Sequence, residues 1–254
     1  MSFRVVIPAR YASSRLPGKP LLDIAGKPMV QHVYEQASDC DALSVIVATD
    51  DTRIADAVKQ FGGDVCMTSA AHPSGTDRLA EVASIMGYAD EDIIVNMQGD
   101  EPLIPPKLIQ QVAKDLSEFK DASISTICTP IDTVEDLFNP NVVKVVLDRL
   151  GYAIYFSRAT IPWHRDAFML DKEAIPVNVQ YYRHLGIYAY RSRFLKQYSS
   201  LQVSPLEQIE SLEQLRAIWH GYRIHVSLAA EPPGMGVDTE EDLNQVRSIL
   251  LANH

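Results

Sequence analysis

Short apolar runs alternate with helix-patterned segments through the first 120 residues, and that alternation leaves few folds open. Phe3 to Ile7, Leu43 to Ala48, Asp64 to Met67 and Ile93 to Met97 read as strands. Between and after them, Pro28 to Ala37, Ile54 to Phe61, Thr76 to Met86 and Pro106 to Phe119 read as helices. Leu79, Val82, Ala83 and Met86 fall on one face of the third. Gly62-Gly63 closes the second, and proline opens the fourth. Strands that alternate with helices predict a mostly parallel α/β sheet with right-handed crossovers.

The second half is less regular. Val142 to Leu147 and Ala153 to Phe156 read as strands around a turn at Arg149-Leu150-Gly151. Ala159 to Gln180, rich in proline and charge, reads as a long excursion. His184 to Tyr190 and Arg223 to Leu228 read as strands, and Thr239 to Leu251 as a closing helix. Ser204-Pro205-Leu206-Glu207 has the spacing of a capping box, so a helix starts there. With no repeat and no clear linker, we expect one domain over 1–254 with an inserted antiparallel layer.

Charge decides what such a sheet can bind. Lys and Arg number 23 against 33 Asp and Glu, a net charge of −10, which argues against a nucleic-acid partner. Yet the loop after the first strand, broken at Pro8, carries Arg10, Arg15 and Lys19. Ligands of open α/β sheets sit beyond the carboxyl ends of strands. Several cations there suit a polyphosphate, although a solvated basic loop would look the same.

A second strand end carries Asn96-Met97-Gln98-Gly99-Asp100-Glu101-Pro102. Gln98 can read a base or sugar edge, because an amide both donates and accepts. Asp100 would point into the crevice, where Mg²⁺ could sit with phosphate oxygens completing its shell. The same residues could be only a turn. In Pro233 to Leu243, Asp238 offers a second carboxylate, while Thr239 and Asp242 fit a helix cap that could explain the whole cluster. Ser74-Gly75-Thr76-Asp77-Arg78, ahead of a helix, can cradle an anion or cap the helix.

Cys40, Cys66 and Cys128 are isolated, odd in number and outside any C-x-x-C pair, which fits core positions in a reducing compartment. The chain enters a strand at once, without a signal-peptide pattern, and has no run of 18 apolar residues. We expect a cytoplasmic protein with no membrane partner.

Seven segments occur in order: V-I-P-A-R-Y-A-S-S-R-L-P-G-K-P, S-G-T-D-R, N-M-Q-G-D-E-P, F-S-R-A-T-I-P-W, R-H-L-G-I-Y-A-Y, L-E-Q-L-R and P-G-M-G-V-D-T-E-E-D-L. Together they resemble the 3-deoxy-manno-octulosonate (Kdo) cytidylyltransferases, from Phe3 to about Val246. The first and third are shared with a wider class of sugar nucleotidyltransferases; the fourth and fifth are more specific to the Kdo enzymes.

The resemblance implies a Rossmann-like sheet of the nucleotidyltransferase type, with a sugar-binding and dimerisation elaboration at about 150–215. It implies transfer from CTP to Kdo for lipopolysaccharide biosynthesis, with Mg²⁺ as cofactor and a homodimer as the assembly. It gives Arg10, Arg15 and Lys19 to the triphosphate, and Ser74, Gly75, Arg78 and Gln98 to the nucleotide pocket. Asp100 and Asp238 would bind the metal and, with Lys19, form the catalytic set. Arg158 would pair with the sugar carboxylate. Gln98, His184, Tyr188, Glu213 and Gln214 would meet the rest of the sugar. The rivals are a sialic-acid cytidylyltransferase and a catalytically silent nucleotide-binding protein.

Overall fold

A computed structural model describes residues 1–12, 16–72 and 74–252. The parallel core uses β1 (Arg4–Ala9), then a small hairpin of β2 (Asp23–Ile24) and β3 (Lys27–Pro28), helix α1 (Met29–Ser38), β4 (Val45–Thr49), α2 (Thr52–Gln60), β5 (Asp64–Met67), α3 (Gly75–Ile85), β6 (Ile93–Asn96) and α4 (Pro106–Glu118). The remainder supplies β7 (Ile124–Ile131), α5 (Val134–Phe138), the pair β8 (Lys144–Leu147) and β9 (Ala153–Ser157), α6 (Arg165–Leu170), β10 (Tyr181–Arg191), α7 (Ser192–Tyr198), α8 (Pro205–Glu210), α9 (Gln214–Trp219), β11 (Ile224–Leu228) and α10 (Glu240–Ala252).

The main sheet runs in the order β11-β7-β10-β6-β1-β4-β5. Along that path β10 alone is antiparallel to its neighbours, β6 and β7. Its first residues also pair with β8, which pairs with β9, so the antiparallel part is hydrogen-bonded onto the same sheet. The register between β10 and β7 shifts between Leu185 and Tyr188. Such a bulge re-aims the side chains on either side of it.

Both faces of the sheet are covered, which is why its parallel strands read as unbroken apolar runs. Val5, Ile7, Val47 and Val95 pack with α1, α2 and α4. Val6, Ile46, Ala48 and Ile94 pack on the other face against α3 and α7. Side-chain caps set the helix starts: Asp51 accepts from the Arg53 N–H, and Ser74 from the Asp77 N–H. Gly62, at φ +82°, follows the end of α2 in the left-handed conformation glycine tolerates.

Several expectations need correction. Pro8 does not end the first strand, because its carbonyl side stays in register with Ala48 of β4. The strand β7 was not anticipated, nor were α5 and α7, and the excursion after Ala159 contains α6. In β7, Ser125 and Thr126 disguise a fully buried run. The Ser125 hydroxyl donates to the Val112 carbonyl, and that of Thr126 to the Ile187 carbonyl at 2.7 Å. At α8, Ser204 caps as expected, but the Glu207 carboxylate turns to Arg216. The three cysteines are buried and free. Among the described residues no helix is long and apolar enough to cross a membrane.

Candidate active site

The chain leaves β1 toward β4 on one side and reaches β6 on the other. That switch opens a crevice at the carboxyl ends of β1 and β6. Gly99 is required there, because a Cβ on it would lie 2.9 Å from the Pro8 carbonyl oxygen. Three cavities meet at this point, and Gln98 lines all of them.

The first, of about 370 Å³, takes in Arg10, Lys19, Gly75, Gly99, Asp100 and Asp238. Lys19 is the hub. Its Nζ lies 2.8 Å from Asp100 Oδ2 and 3.2 Å from Asp238 Oδ1, joining residues far apart in sequence. The cap in the Pro233 to Leu243 segment belongs to Asp242, which accepts from the Asp238 and Thr239 N–H groups. The Asp238 side chain takes no part in that cap and meets Lys19 in the crevice. Arg10 donates to the His72 carbonyl at 3.0 Å. Arg15 lies outside the described residues.

Two expected nucleotide contacts sit behind the wall of this cavity. Ser74 is used as a helix cap, and its hydroxyl donates to Asp77 Oδ2 at 2.6 Å. Arg78 is 1% exposed and pairs with Asp50 at 2.8 Å. Burial pulls its pKa down against the pull of Asp50. Gly75, between them, does reach the cavity.

The second cavity, of about 240 Å³, is lined by Thr76, Tyr188, Tyr190, Glu213 and Gln214. The Thr76 hydroxyl donates to Glu213 at 2.9 Å. Burial, with Asp77 and Glu207 nearby, raises the Glu213 pKa. Burial also raises Tyr188 and Tyr190, so both stay neutral hydrogen-bonding groups. Gln214 Nε2 is buried with no partner among the described residues. Thr76 and Tyr190 were not anticipated. Tyr190 stands two residues after Tyr188 on one strand, and the period of two was the available signal.

The third cavity, of about 160 Å³, holds Glu101, Arg183, His184, Gly186 and Gly236. The bulge in β10 divides the expected sugar contacts: His184 lines this cavity, whereas Tyr188 lines the second. Burial pushes the His184 pKa down to about 3, so the ring is neutral. Its Nε2 lies 3.1 Å from the Thr126 hydroxyl. Burial, then Asp100 and Asp238, pushes the Glu101 pKa up to about 7.

Arg158 differs most from expectation. Its Nε donates to the Glu210 carbonyl at 2.7 Å and its Nη1 to the Pro140 carbonyl at 3.1 Å. Its backbone N–H donates to the Glu210 carboxylate. It ties β9 to the turn that presents Glu213 and Gln214, and lines none of the three cavities.

Residues 4–224 match the cytidylyltransferase family model. A 3-deoxy-manno-octulosonate cytidylyltransferase from Aliivibrio salmonicida is 61% identical over 98% of this chain and 99% of its own length. One from Vibrio vulnificus is 60% identical over 99% of each chain. The chain belongs to the 3-deoxy-manno-octulosonate cytidylyltransferase family. A solved member, CMP:2-keto-3-deoxy-manno-octonic acid synthetase complexed with CTP, superposes over the whole of both chains with a TM-score of 0.89 at 44% identity. The family's fold is therefore the α/β sheet described above, with β10 running against the rest.

Proposed function

We infer that this chain is the enzyme that activates Kdo: CTP + Kdo → CMP-Kdo + pyrophosphate, a step that supplies lipopolysaccharide biosynthesis. The observation that carries the reading is the Lys19 ammonium held between Asp100 and Asp238 at the carboxyl ends of the strands. That arrangement puts charge where a triphosphate must be neutralised. The triphosphate would lie along the first cavity, against Arg10 and Lys19. The sugar would enter the second, with Tyr188, Glu213 and Gln214 toward its hydroxyls. Gln98 faces both. The anomeric hydroxyl then attacks the α-phosphorus and pyrophosphate departs on the far side. Catalysis of this kind is mostly positioning and electrostatics.

Asp100 and Asp238 fit Mg²⁺. Both carboxylates converge on one point, and no third His, Cys, Asp or Glu joins them among the described residues. Magnesium is usually held by one or two carboxylates plus substrate phosphates. Bound there, it would supply positive charge to the reacting phosphate oxygens. Lys19 would turn from the carboxylates to the phosphate chain.

The reading includes a cytoplasmic homodimer. Free, buried cysteines fit a reducing compartment. Exposed apolar side chains at Ile154, Trp163, Leu170, Ile209 and Trp219 support a contact through the 150–215 elaboration and the helix after it.

Pyrophosphate release from CTP with a panel of sugar acids tests the reading. Release should depend on Kdo and on Mg²⁺, and the active sample should sediment as a dimer. Preference for a sialic acid would move the chain to the neighbouring specificity. CTP binding with no release on any sugar acid would leave only the silent nucleotide-binding protein.

A further inference from the structure

Two charged side chains meet at the end of β9, and neither lines any of the three cavities. Glu210 is the last residue of α8, and its carboxylate gathers donors from the neighbouring strand. Oε1 accepts from the Ser157 hydroxyl at 2.6 Å and the Tyr155 hydroxyl at 3.5 Å. Oε2 accepts from the Arg158 backbone N–H at 2.9 Å. Lys144 of β8, in register with Ser157, is wholly buried. Its Nζ donates to the Arg158 carbonyl at 2.7 Å and to the carbonyls of Asn139 and Val142 at 2.9 and 2.6 Å. The backbone of Arg158 is thus held by an anion at its N–H and a cation at its carbonyl. Burial lowers the Lys144 pKa, and the Glu210 charge works against that shift.

The clamp lies immediately before a strained turn. Ser211 has φ +52°, a left-handed conformation that a residue with a Cβ keeps only where its surroundings impose it. Leu212, the next residue, is buried in the core. Ser211 to Gln214 then line the second cavity. Across that cavity Thr76 meets Glu213. Gln214 Nε2 has no partner among the described residues, so its aim is left to the backbone behind it.

We propose that Glu210 is a positioning residue for sugar recognition: it fastens the turn at Ser211 to β9, so that Glu213 and Gln214 face the second cavity. Lys144 completes the clamp from the other side of Arg158. This inference rests on the activity proposed above. What the clamp needs is reach. One carboxylate spans the Ser157 hydroxyl and the Arg158 N–H at once. Glutamine has the same reach, with its oxygen on the Arg158 N–H and its amide N–H donating to the serine oxygen. Aspartate keeps the charge but is one methylene shorter. The nucleotide side, with Lys19, Asp100 and Asp238, does not depend on this turn.

The test measures two constants: the KM for Kdo at saturating CTP, by pyrophosphate release, and the Kd for CTP without sugar, by calorimetry. The samples are the unaltered enzyme, Glu210→Ala, Glu210→Asp and Glu210→Gln, each with and without Gln214→Met. Neither constant depends on the fraction folded, which scales only the apparent kcat. Glu210→Ala should raise the sugar KM about tenfold and leave the CTP Kd within about twofold. Glu210→Asp should raise KM by a smaller factor, and Glu210→Gln should keep it within about twofold. With Gln214→Met already present, Glu210→Ala should cost about threefold or less, because one of the groups it positions is gone. An unchanged sugar KM in Glu210→Ala, even with a lower Tm, would mean that the clamp serves only the fold, and overturns the proposal. So does a full tenfold loss on the Gln214→Met background, or an equal loss of CTP affinity. Should Glu210→Ala yield no folded protein, Glu210→Asp decides by the same readings, and an unchanged KM there overturns the proposal. If the unaltered enzyme releases no pyrophosphate with any sugar acid, the activity reading fails before any variant is compared and takes this inference with it.

Discussion

On one side of Gln98, Lys19 holds Asp100 and Asp238 in a closed set of opposite charges. On the other, Gln214 Nε2 is buried with no partner among the described residues, and burial raises the Glu213 pKa. The first side is satisfied before any ligand arrives; the second waits for one. The difference follows from the ligands. A triphosphate with its metal brings charges of both signs, so its site can neutralise itself and exchange partners on binding. A sugar brings hydroxyls, whose recognition needs donors and acceptors already desolvated and aimed. The nucleotide side should therefore control the chemical step, and the sugar side should control sugar affinity at a cost in stability.

The largest expected effect tests the first half of that statement. Asp238→Asn keeps the shape and removes a charge from the reacting end of the crevice. The Asp242 cap does not use the Asp238 side chain, so the last helix should form normally. We expect kcat to fall at least about a hundredfold, roughly 3 kcal/mol of transition-state stabilisation, with little change in sugar KM. A variant that turns over normally at saturating Mg²⁺ would break the comparison at its strongest point.

How much of this was legible in the chain differs between the same two sides. Arg10, Lys19, Gln98, Asp100 and Asp238 could be found because each follows a recognisable strand or precedes a recognisable helix. Their convergence needed only the rule that ligands meet the carboxyl ends of strands. The sugar side resisted for a physical reason. Its platform is β10, whose partner β7 hides behind a buried serine and threonine, and whose bulge moves His184 away from Tyr188. A one-residue change of register reverses which face a side chain points to, so motif spacing could not sort these contacts. The packing of Arg158 could not be read from sequence, because it depends on which carbonyls fold back against its guanidinium.

A smaller effect tests the sugar side. Gln214→Met removes an amide whose nitrogen has no partner among the described residues, and nearly conserves volume. Replacing an unsatisfied buried group by an apolar one of similar shape is neutral or stabilising. We expect sugar KM to rise about tenfold, kcat to change little, and Tm to hold or rise. Steady-state kinetics with a thermal melt of the same sample checks both halves. A fall in Tm would mean that Gln214 contributes to folding and that its side of the site is not held in reserve.

The smallest effect has the opposite sign, and so sharpens the contrast. Lys19→Met removes the cation that Asp100 and Asp238 share. Both carboxylates are partly exposed, with side-chain exposures of 40% and 56%, so solvent screens much of their repulsion. In metal-free buffer the loss should be about 1 kcal/mol, or roughly 2–4 °C in Tm for a chain of this size. Added Mg²⁺ should recover more of that loss in the variant than it adds to the unaltered protein, because the lysine no longer competes for the same oxygens. Recovery should follow the mass-action form expected of a ligand that binds only the folded state. A melt that falls and stays down in Mg²⁺ would show that the two carboxylates do not form a metal site together. One that does not fall at all would show that Lys19 stabilises nothing there before the nucleotide binds.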